Sequence, residues 1–165
     1  MALKTDDLRV DTVLTKEDIG FDIKVSWLAI ARMFSTLALE YGITVTAGFA
    51  LLNISQETGT PATKIAPLLG MEPRSLTRLI KKMELEGLVR REPDPDDKRS
   101  VLIRLTDLGK EKKKIAKAHV ESFNVKVRES VSQKDLRMFF DILEKINWVT
   151  MTHTFNGKTN VSIEK

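Results

Sequence analysis

Apolar residues recur at steps of three and four along two stretches, one near each end of the chain. The first covers residues 21–41 and the second covers residues 136–149. This spacing places apolar side chains on one face of a helix, and each face is wider than a single core contact requires. The width favours dimerisation through these helices, and packing within one chain is the alternative. The residues assigned to dimerisation are Trp27, Ile30, Phe34, Phe139, Leu143 and Ile146.

Three shorter helical patterns lie between these two stretches. They cover residues 47–57, 61–69 and 73–86. Thr60 is placed to cap the second of these helices, and Pro61 suits its first position. Gly70 suits a helix end and Pro73 a helix start, so a tight turn joins the second helix to the third. Two helices joined in this way form the helix-turn-helix pattern.

Two strand patterns follow, at residues 88–92 and 100–105. The segment between them is rich in Pro and Asp, which favour turns, so the two strands should form a hairpin. Thr106 is placed to cap a long, lysine-rich helix that begins near Asp107. The expected fold is therefore mainly α-helical, with a two-stranded β-hairpin.

Positive charge is concentrated in the middle of the chain. The net charge is +4, but residues 61–120 hold 15 Lys and Arg against nine Asp and Glu. The remainder of the chain holds 12 against 14. A basic segment between near-neutral ends is typical of a module that binds a polyanion. A solvated, lysine-rich surface is the alternative.

The helix over residues 73–86 has one apolar side and one basic side. Ser75, Thr77 and Arg78 lie in the half that a recognition helix inserts into the major groove of DNA. Arg78 is the candidate for bidentate contact with guanine, and its neighbours can reach phosphates. The candidate DNA-binding residues of this helix are Arg74, Ser75, Thr77, Arg78, Lys81 and Lys82. An amphipathic helix whose basic face only meets water is the alternative.

The combinations of residues that enzymes and metal sites need are missing from the sequence. There is no cysteine, which excludes disulfides, thiolate metal sites and thiol redox sensors. His119 and His153 are far apart and have no partner at metal-ligand spacing. We therefore expect no catalytic residue, no metal and no cofactor. No stretch approaches the roughly 20 apolar residues of a membrane span, and the N-terminus does not resemble a signal peptide, so a cytoplasmic protein without a membrane partner is expected.

Two segments resemble the multiple antibiotic resistance regulator (MarR) family of winged helix-turn-helix proteins. Residues 87–99 read Gly-Leu-Val-Arg-Arg-Glu-Pro-Asp-Pro-Asp-Asp-Lys-Arg, and residues 105–109 read Leu-Thr-Asp-Leu-Gly. Together they are similar to the wing signature of that family, and residues 66–70 with residues 75–80 are similar to its helix-turn-helix. The resemblance covers roughly residues 22–149 in the order of elements.

The resemblance implies a transcriptional regulator, a repressor more than an activator, that binds double-stranded DNA as a homodimer at a pseudo-palindromic operator. It implies a single chain, 1–165, with a winged helix-turn-helix lobe at residues 44–106. The N- and C-terminal dimerisation helices would lie at residues 21–42 and 107–155. Many members of the family release DNA when a small aromatic or phenolic ligand binds, and whether this chain has such an effector is open.

On the wing, the resemblance implies that Arg99 enters the minor groove, with Lys98 beside it and Asp97 helping to hold the tip. Pro67 departs from the usual pattern of the family. It lies inside the helix before the recognition helix and removes one backbone hydrogen bond from it. The absence of cysteine excludes the peroxide-sensing branch of the family. A winged-helix module that binds a protein or RNA, without sequence-specific readout of DNA, is the alternative function.

Overall fold

A computed structural model describes residues 18–97 and 100–152. The elements are α1 (Ile19–Glu40), α2 (Val45–Leu52), β1 (Thr60–Pro61), α3 (Ala62–Leu68), α4 (Pro73–Leu85), β2 (Val89–Pro93), β3 (Val101–Leu105), α5 (Asp107–Ser130) and α6 (Gln133–Thr152). The chain divides into two compact units, and the boundary falls between Ala118 and His119, inside α5. The predicted fold, mainly helical with a β-hairpin, is confirmed.

Local hydrogen bonds explain where α1 begins and where α3 ends. At the start of α1, the Asp18 carboxylate accepts a hydrogen bond from the Phe21 N–H at 2.6 Å. At the end of α3, Gly70 adopts a φ of 59°, which a residue with a side chain rarely adopts. The Met71 N–H then donates to the Ala66 carbonyl at 3.0 Å. This closure ends α3 and forms the tight turn before α4.

The hydrophobic core of the first unit lies between α2, α3, α4 and the hairpin. Its buried members are Ile43, Ala47, Ala50, Leu51, Ile54, Ile65, Ala66, Leu76, Ile80, Met83, Leu88, Val89, Ile103 and Leu105. From α4 the core takes Leu76, Ile80 and Met83, and Leu79 is half-buried. Because these residues share one side of α4, the helix leaves its opposite side in solvent.

The sheet has three strands, whereas the sequence predicts two. The strand order is β1-β3-β2, with both pairs antiparallel, and Thr60 pairs with Ile103. The prediction that Thr60 caps a helix that begins at Pro61 is therefore wrong, since α3 begins at Ala62. The Thr60 hydroxyl instead accepts a hydrogen bond from the Ser55 N–H at 2.8 Å. β1 pairs with β3, which is distant in the sequence, so the local pattern around Thr60 does not reveal the pairing.

The first turn of α5 is anchored to the segment that follows α4. The Thr106 hydroxyl accepts from the Gly109 N–H at 3.0 Å, which confirms the predicted cap, and donates to the Gly87 carbonyl at 2.5 Å. The Thr106 N–H donates to the Leu88 carbonyl at 3.1 Å. A Cβ atom at Gly109 would overlap that same carbonyl oxygen. The close approach therefore requires glycine at this position.

Lys113 ties the next turn of α5 to the end of α2. Its Nζ atom donates to the carbonyls of Leu52, at 3.1 Å, and Ile54, at 2.5 Å. Carbonyls at a helix C-terminus lack partners within the helix, and a cation satisfies them. Burial, and secondarily the charge of Lys117, lowers the pKa of Lys113.

The second unit contains the rest of α5 and the whole of α6. At the start of α6, the Ser132 hydroxyl accepts from the Asp135 N–H at 3.1 Å and so caps the helix. Of the residues assigned to dimerisation, Phe139 is exposed, and Leu143 and Ile146 are half-buried. The large apolar residues of α6 that are exposed are Met138, Phe139, Phe140, Ile142, Trp148, Val149 and Met151.

Neither a membrane span nor a metal cluster is found in the described residues. There, no single helix is long and apolar enough to cross a membrane, although α1 and α2, bent by 90° at their junction, satisfy the length and composition together. No group of three or more His, Asp or Glu side chains is arranged to hold a metal ion in the same part of the chain. His153 lies outside it.

Candidate nucleic-acid interface

The outer face of α4 displays the six polar residues that the sequence selects. All six side chains, Arg74, Ser75, Thr77, Arg78, Lys81 and Lys82, are exposed. Lys82 Nζ lies 3.7 Å from a carboxylate oxygen of Glu86, one turn later. Within residues 18–97 and 100–152, Arg74 and Arg78 form no such ion pair. The unpaired guanidinium groups therefore lie in the N-terminal half of α4.

Thr77 makes a hydrogen bond within the helix itself. Its hydroxyl donates to the carbonyl oxygen of Pro73, one turn earlier, at 2.9 Å. Threonine forms this bond readily in helices, because its hydroxyl lies within reach of the carbonyl four residues before it. The side chain remains exposed, so it is available to a ligand in a defined orientation.

An ion pair joins the hairpin to α4. Arg91 Nε, on β2, lies 3.3 Å from a carboxylate oxygen of Glu84, near the end of α4. Both side chains are partly exposed, so the energy of this pair is small, but it restricts the position of the hairpin relative to α4. The sequence did not predict this pair. Its only signal was two opposite charges on either side of the turn at Gly87.

Glu92 lies between two arginines on the outer face of the hairpin. Arg90 and Arg104 oppose each other in the strand register. Arg90 Nε donates to Glu92 at 2.6 Å, and Arg104 Nε lies 2.5 Å from the other carboxylate oxygen as an ion pair. The hydrogen bond from Arg90, with the charges of both arginines, holds the pKa of Glu92 below its ordinary value, although burial acts in the opposite direction.

The tip of the hairpin is closed by backbone hydrogen bonds. The Asp94 N–H donates to the Ser100 carbonyl at 3.2 Å, and the Ser100 N–H donates to the Asp97 carbonyl at 2.8 Å. Asp97 thus lies at the tip and takes part in closing it. Lys98 and Arg99 lie outside the described residues, so their placement in a minor groove stays a prediction.

The apolar stripe of α1 packs partly against α2. The Trp27 ring lies 5.9 Å from the Phe49 ring, and the Phe34 ring lies edge-on to it at 6.1 Å. Phe34 and Ile30 are half-buried, whereas Trp27 remains 51% exposed. Part of the stripe assigned to dimerisation therefore serves packing within the chain, and part is left open.

A groove lies between α1, α2 and the turn that precedes α4. It encloses about 640 Å³, and Trp27 and Phe49 form part of its wall. Leu68, Leu69 and Met71 line the side next to the turn. The groove is mostly apolar and borders the segment that positions α4. The sequence leaves open whether the chain binds an effector, and it does not indicate that these residues form a groove.

Comparison with known proteins assigns the chain to a family. The profile of the MarR family matches residues 43–101. The HTH-type transcriptional regulator SarZ of Staphylococcus saprophyticus is 30% identical over 129 residues, which cover 76% of this chain and 88% of SarZ. The chain belongs to the MarR family. It is therefore related to transcriptional regulators and not to enzymes.

Other relatives and solved structures agree with membership of the MarR family. An uncharacterised HTH-type regulator of Bacillus subtilis, YdgJ, is 32% identical over 78 residues, or 47% of this chain, which spans about half of that protein (48%). CouR of Rhodococcus jostii, solved with p-coumaroyl-CoA, is 25% identical and superposes with a TM-score of 0.70, covering 82% of this chain and 95% of CouR. MepR of S. aureus, solved with DNA, is 17% identical, with a TM-score of 0.75 over 82% of this chain and 99% of MepR, a likeness of fold alone. The expected winged helix-turn-helix fold is thereby confirmed.

Proposed function

We propose that this MarR-family chain is a homodimeric repressor that binds a pseudo-palindromic operator by inserting α4 into the major groove. The observation that carries the proposal is the outer face of α4, where Arg74 and Arg78 are exposed and form no ion pair among the described residues. A free guanidinium forks onto guanine or phosphate oxygens. Since the core holds α4 by its opposite side, this face is presented without rearrangement.

Position along α4 divides the roles of these residues. Residues in the first half of a recognition helix reach base edges, and flanking cations contact phosphates. Arg78 would read guanine, with Ser75 and Thr77 beside it. Arg74, Lys81 and Lys82 would contact the backbone, and the pairing of Lys82 with Glu86 would make its contribution smaller.

The hairpin would bind the minor groove next to the site of α4. The Glu84–Arg91 ion pair supports this proposal, because it couples the hairpin to α4. A narrow minor groove has a deep negative potential and attracts arginine. Arg99 would enter it, with Lys98 adjacent and Asp97 holding the tip.

Dimerisation would use the helices on either side of the DNA-binding lobe. We assign the lobe to residues 44–106 and the dimerisation helices to residues 21–42 and 107–155. Exposed apolar side chains on both α1 and α6 support this assignment, because soluble monomers rarely expose large contiguous apolar patches. On α1 they are Ile19, Ile23, Trp27, Leu28, Met33 and Leu39. A two-fold dimer would present two α4 helices to two half-sites, which requires a pseudo-palindrome.

The groove beside Trp27 and Phe49 would hold a small aromatic or phenolic effector. Its volume of about 640 Å³ lies within the range of small-molecule sites. CouR, which shares this fold, was solved with a ligand whose acyl group is phenolic. An effector there would release DNA only if it bound one arrangement of the turn before α4 more tightly than another.

Titration against duplex DNA tests the proposal. The protein is titrated with its own upstream DNA and with a scrambled duplex at two salt concentrations. A specific regulator should prefer its own site by about a thousandfold or more, with steep salt dependence. Arg78→Ala should reduce this preference by about 1–3 kcal/mol, whereas Arg137→Ala, which removes an equal charge from an exposed position on α6, should leave it unchanged. Equal, weak binding to every duplex would contradict the proposal and favour a protein or RNA partner.

Tryptophan fluorescence tests the effector separately. The chain has two tryptophans, so Trp148→Phe leaves Trp27 as the reporter in the groove. Titration with p-coumaroyl-CoA or 4-hydroxycinnamate should change the Trp27 emission and weaken DNA binding. Absence of both effects would reject these compounds as effectors and leave the DNA-binding proposal standing.

A further inference from the structure

The hydroxyl of Thr77 is committed to one role in hydrogen bonding. A threonine hydroxyl has one hydrogen to donate and two lone pairs to accept. The bond to the Pro73 carbonyl at 2.9 Å uses the hydrogen. Outward from α4, the side chain therefore offers an acceptor and a methyl group, and no donor.

The two neighbouring candidates offer different chemistry. Among the described residues, no hydrogen bond occupies the hydroxyl of Ser75 or the guanidinium of Arg78. Ser75 can donate or accept, so it matches several base edges. Arg78 can only donate, so it matches the acceptors of guanine. Thr77, in contrast to Arg78, can only accept hydrogen bonds from a base.

The base edges of the major groove decide what such a side chain selects. Guanine presents two acceptors, which a side chain without a donor cannot satisfy. Cytosine presents a donor and no methyl group. An A·T pair presents the amino donor of adenine together with the C5-methyl group of thymine. An acceptor beside a methyl group therefore matches the A·T pair on both counts.

We propose that Thr77 selects an A·T base pair in each half-site, with its methyl group against the C5-methyl group of thymine. The inference rests on the proposed function, in which α4 reads the major groove. The hydrogen bond to Pro73 holds the orientation of the side chain, and burial of Leu76 and Ile80 prevents α4 from turning this face away.

Removal of single methyl groups from DNA tests the proposal. The probe is a duplex selected from a randomised library by the wild-type protein. Each thymine is replaced in turn by deoxyuridine, which lacks only the C5-methyl group. At one position in each half-site, the replacement should weaken wild-type binding about fourfold, the contribution of burying one methyl group.

Two variants separate the methyl group of Thr77 from its hydroxyl. Thr77→Ser keeps the hydroxyl and lacks the methyl group, so it should bind the thymine and deoxyuridine duplexes equally. Thr77→Val keeps a methyl group in place and should still discriminate between the duplexes. Circular dichroism checks that both variants fold. If Thr77→Val does not fold, the comparison of wild type with Thr77→Ser is sufficient.

The outcomes distinguish this inference from the proposed function. If deoxyuridine weakens wild type and Thr77→Ser alike at every position, the assignment of Thr77 is overturned. If the wild-type protein selects no preferred sequence from the library, the proposed function itself fails. Methyl discrimination that disappears in Thr77→Ser supports both.

Discussion

Substitution of Gly109 by alanine should destabilise the protein, although alanine is the better helix former. Gly109 is buried in the first turn of α5. A Cβ atom there would overlap the carbonyl oxygen of Leu88 and lie 3.0 Å from its carbonyl carbon. Both are backbone atoms, so rotation of a side chain cannot relieve the overlap. The start of α5 must instead move away from Leu88.

The magnitude follows from the contacts that this movement breaks. Thr106 donates one hydrogen bond to Leu88 and one to Gly87. At about 1 kcal/mol each, their loss costs about 2 kcal/mol. Overpacking adds about 1–3 kcal/mol, and the helix propensity of alanine returns about 1 kcal/mol. The free energy of unfolding should therefore fall by about 2–4 kcal/mol.

Urea denaturation followed by circular dichroism measures this change, at one protein concentration because association alters apparent stability. Gly48→Ala is the matched control, since a Cβ there would meet only Ile43 Cδ1, at 3.8 Å. In the middle of α2 that change should stabilise the protein by up to about 1 kcal/mol. Wild-type stability in Gly109→Ala, or equal shifts in both variants, would refute the close approach of α5 to Leu88.

Three further predictions concern the DNA-binding face and the hairpin. Arg78→Ala should weaken DNA binding by about 1–3 kcal/mol and relax the preference at one base position. Lys82→Ala should weaken binding to all DNA sequences alike and reduce the dependence of affinity on salt concentration. Titrations of single-base variants of the site at two salt concentrations would show both effects. Arg99→Ala should mainly weaken binding to duplexes with A·T-rich flanks, compared with G·C-rich flanks. The lowered pKa of Glu92 means that its ionised form stabilises the fold above the ordinary value of 4.5, a contribution lost as the pH falls through the lowered folded-state pKa. Glu92→Gln should therefore be less stable than wild type near neutral pH, and the difference in the free energy of unfolding should disappear in acid. Urea denaturation of both proteins near neutral pH and in acid measures this difference.

Each of these predictions has an outcome that contradicts it. A uniform loss of affinity in Arg78→Ala would show a phosphate contact instead of base readout. If Arg99→Ala binds A·T-flanked sites with unchanged affinity, the assignment of Arg99 to the minor groove is wrong. A stability gap between Glu92→Gln and wild type that stays constant with pH would show that Glu92 acts through packing and not through its charge.

The sequence by itself determined the order of the helices and the basic face of α4. The turn before α4 was predictable from Gly70 and Pro73, and the start of α5 was predictable from Thr106. These signals are reliable because a cap forms between residues three or four positions apart. Periodicity likewise shows which positions share a face of α4, since a helix brings neighbours in sequence together in a fixed way.

The tertiary structure decided every feature that depends on segments distant in the chain. Thr60 lies in a strand because Ile103 offers it a hydrogen-bonding edge, which outweighs the local preference for a helix start. The need for glycine at position 109 arises from the carbonyl of Leu88, and the groove beside Trp27 exists only where three segments meet. Contact energies of this kind depend on distances in space. Local pattern carries no information about them, so the sequence named the residues of the interface but not how they are held.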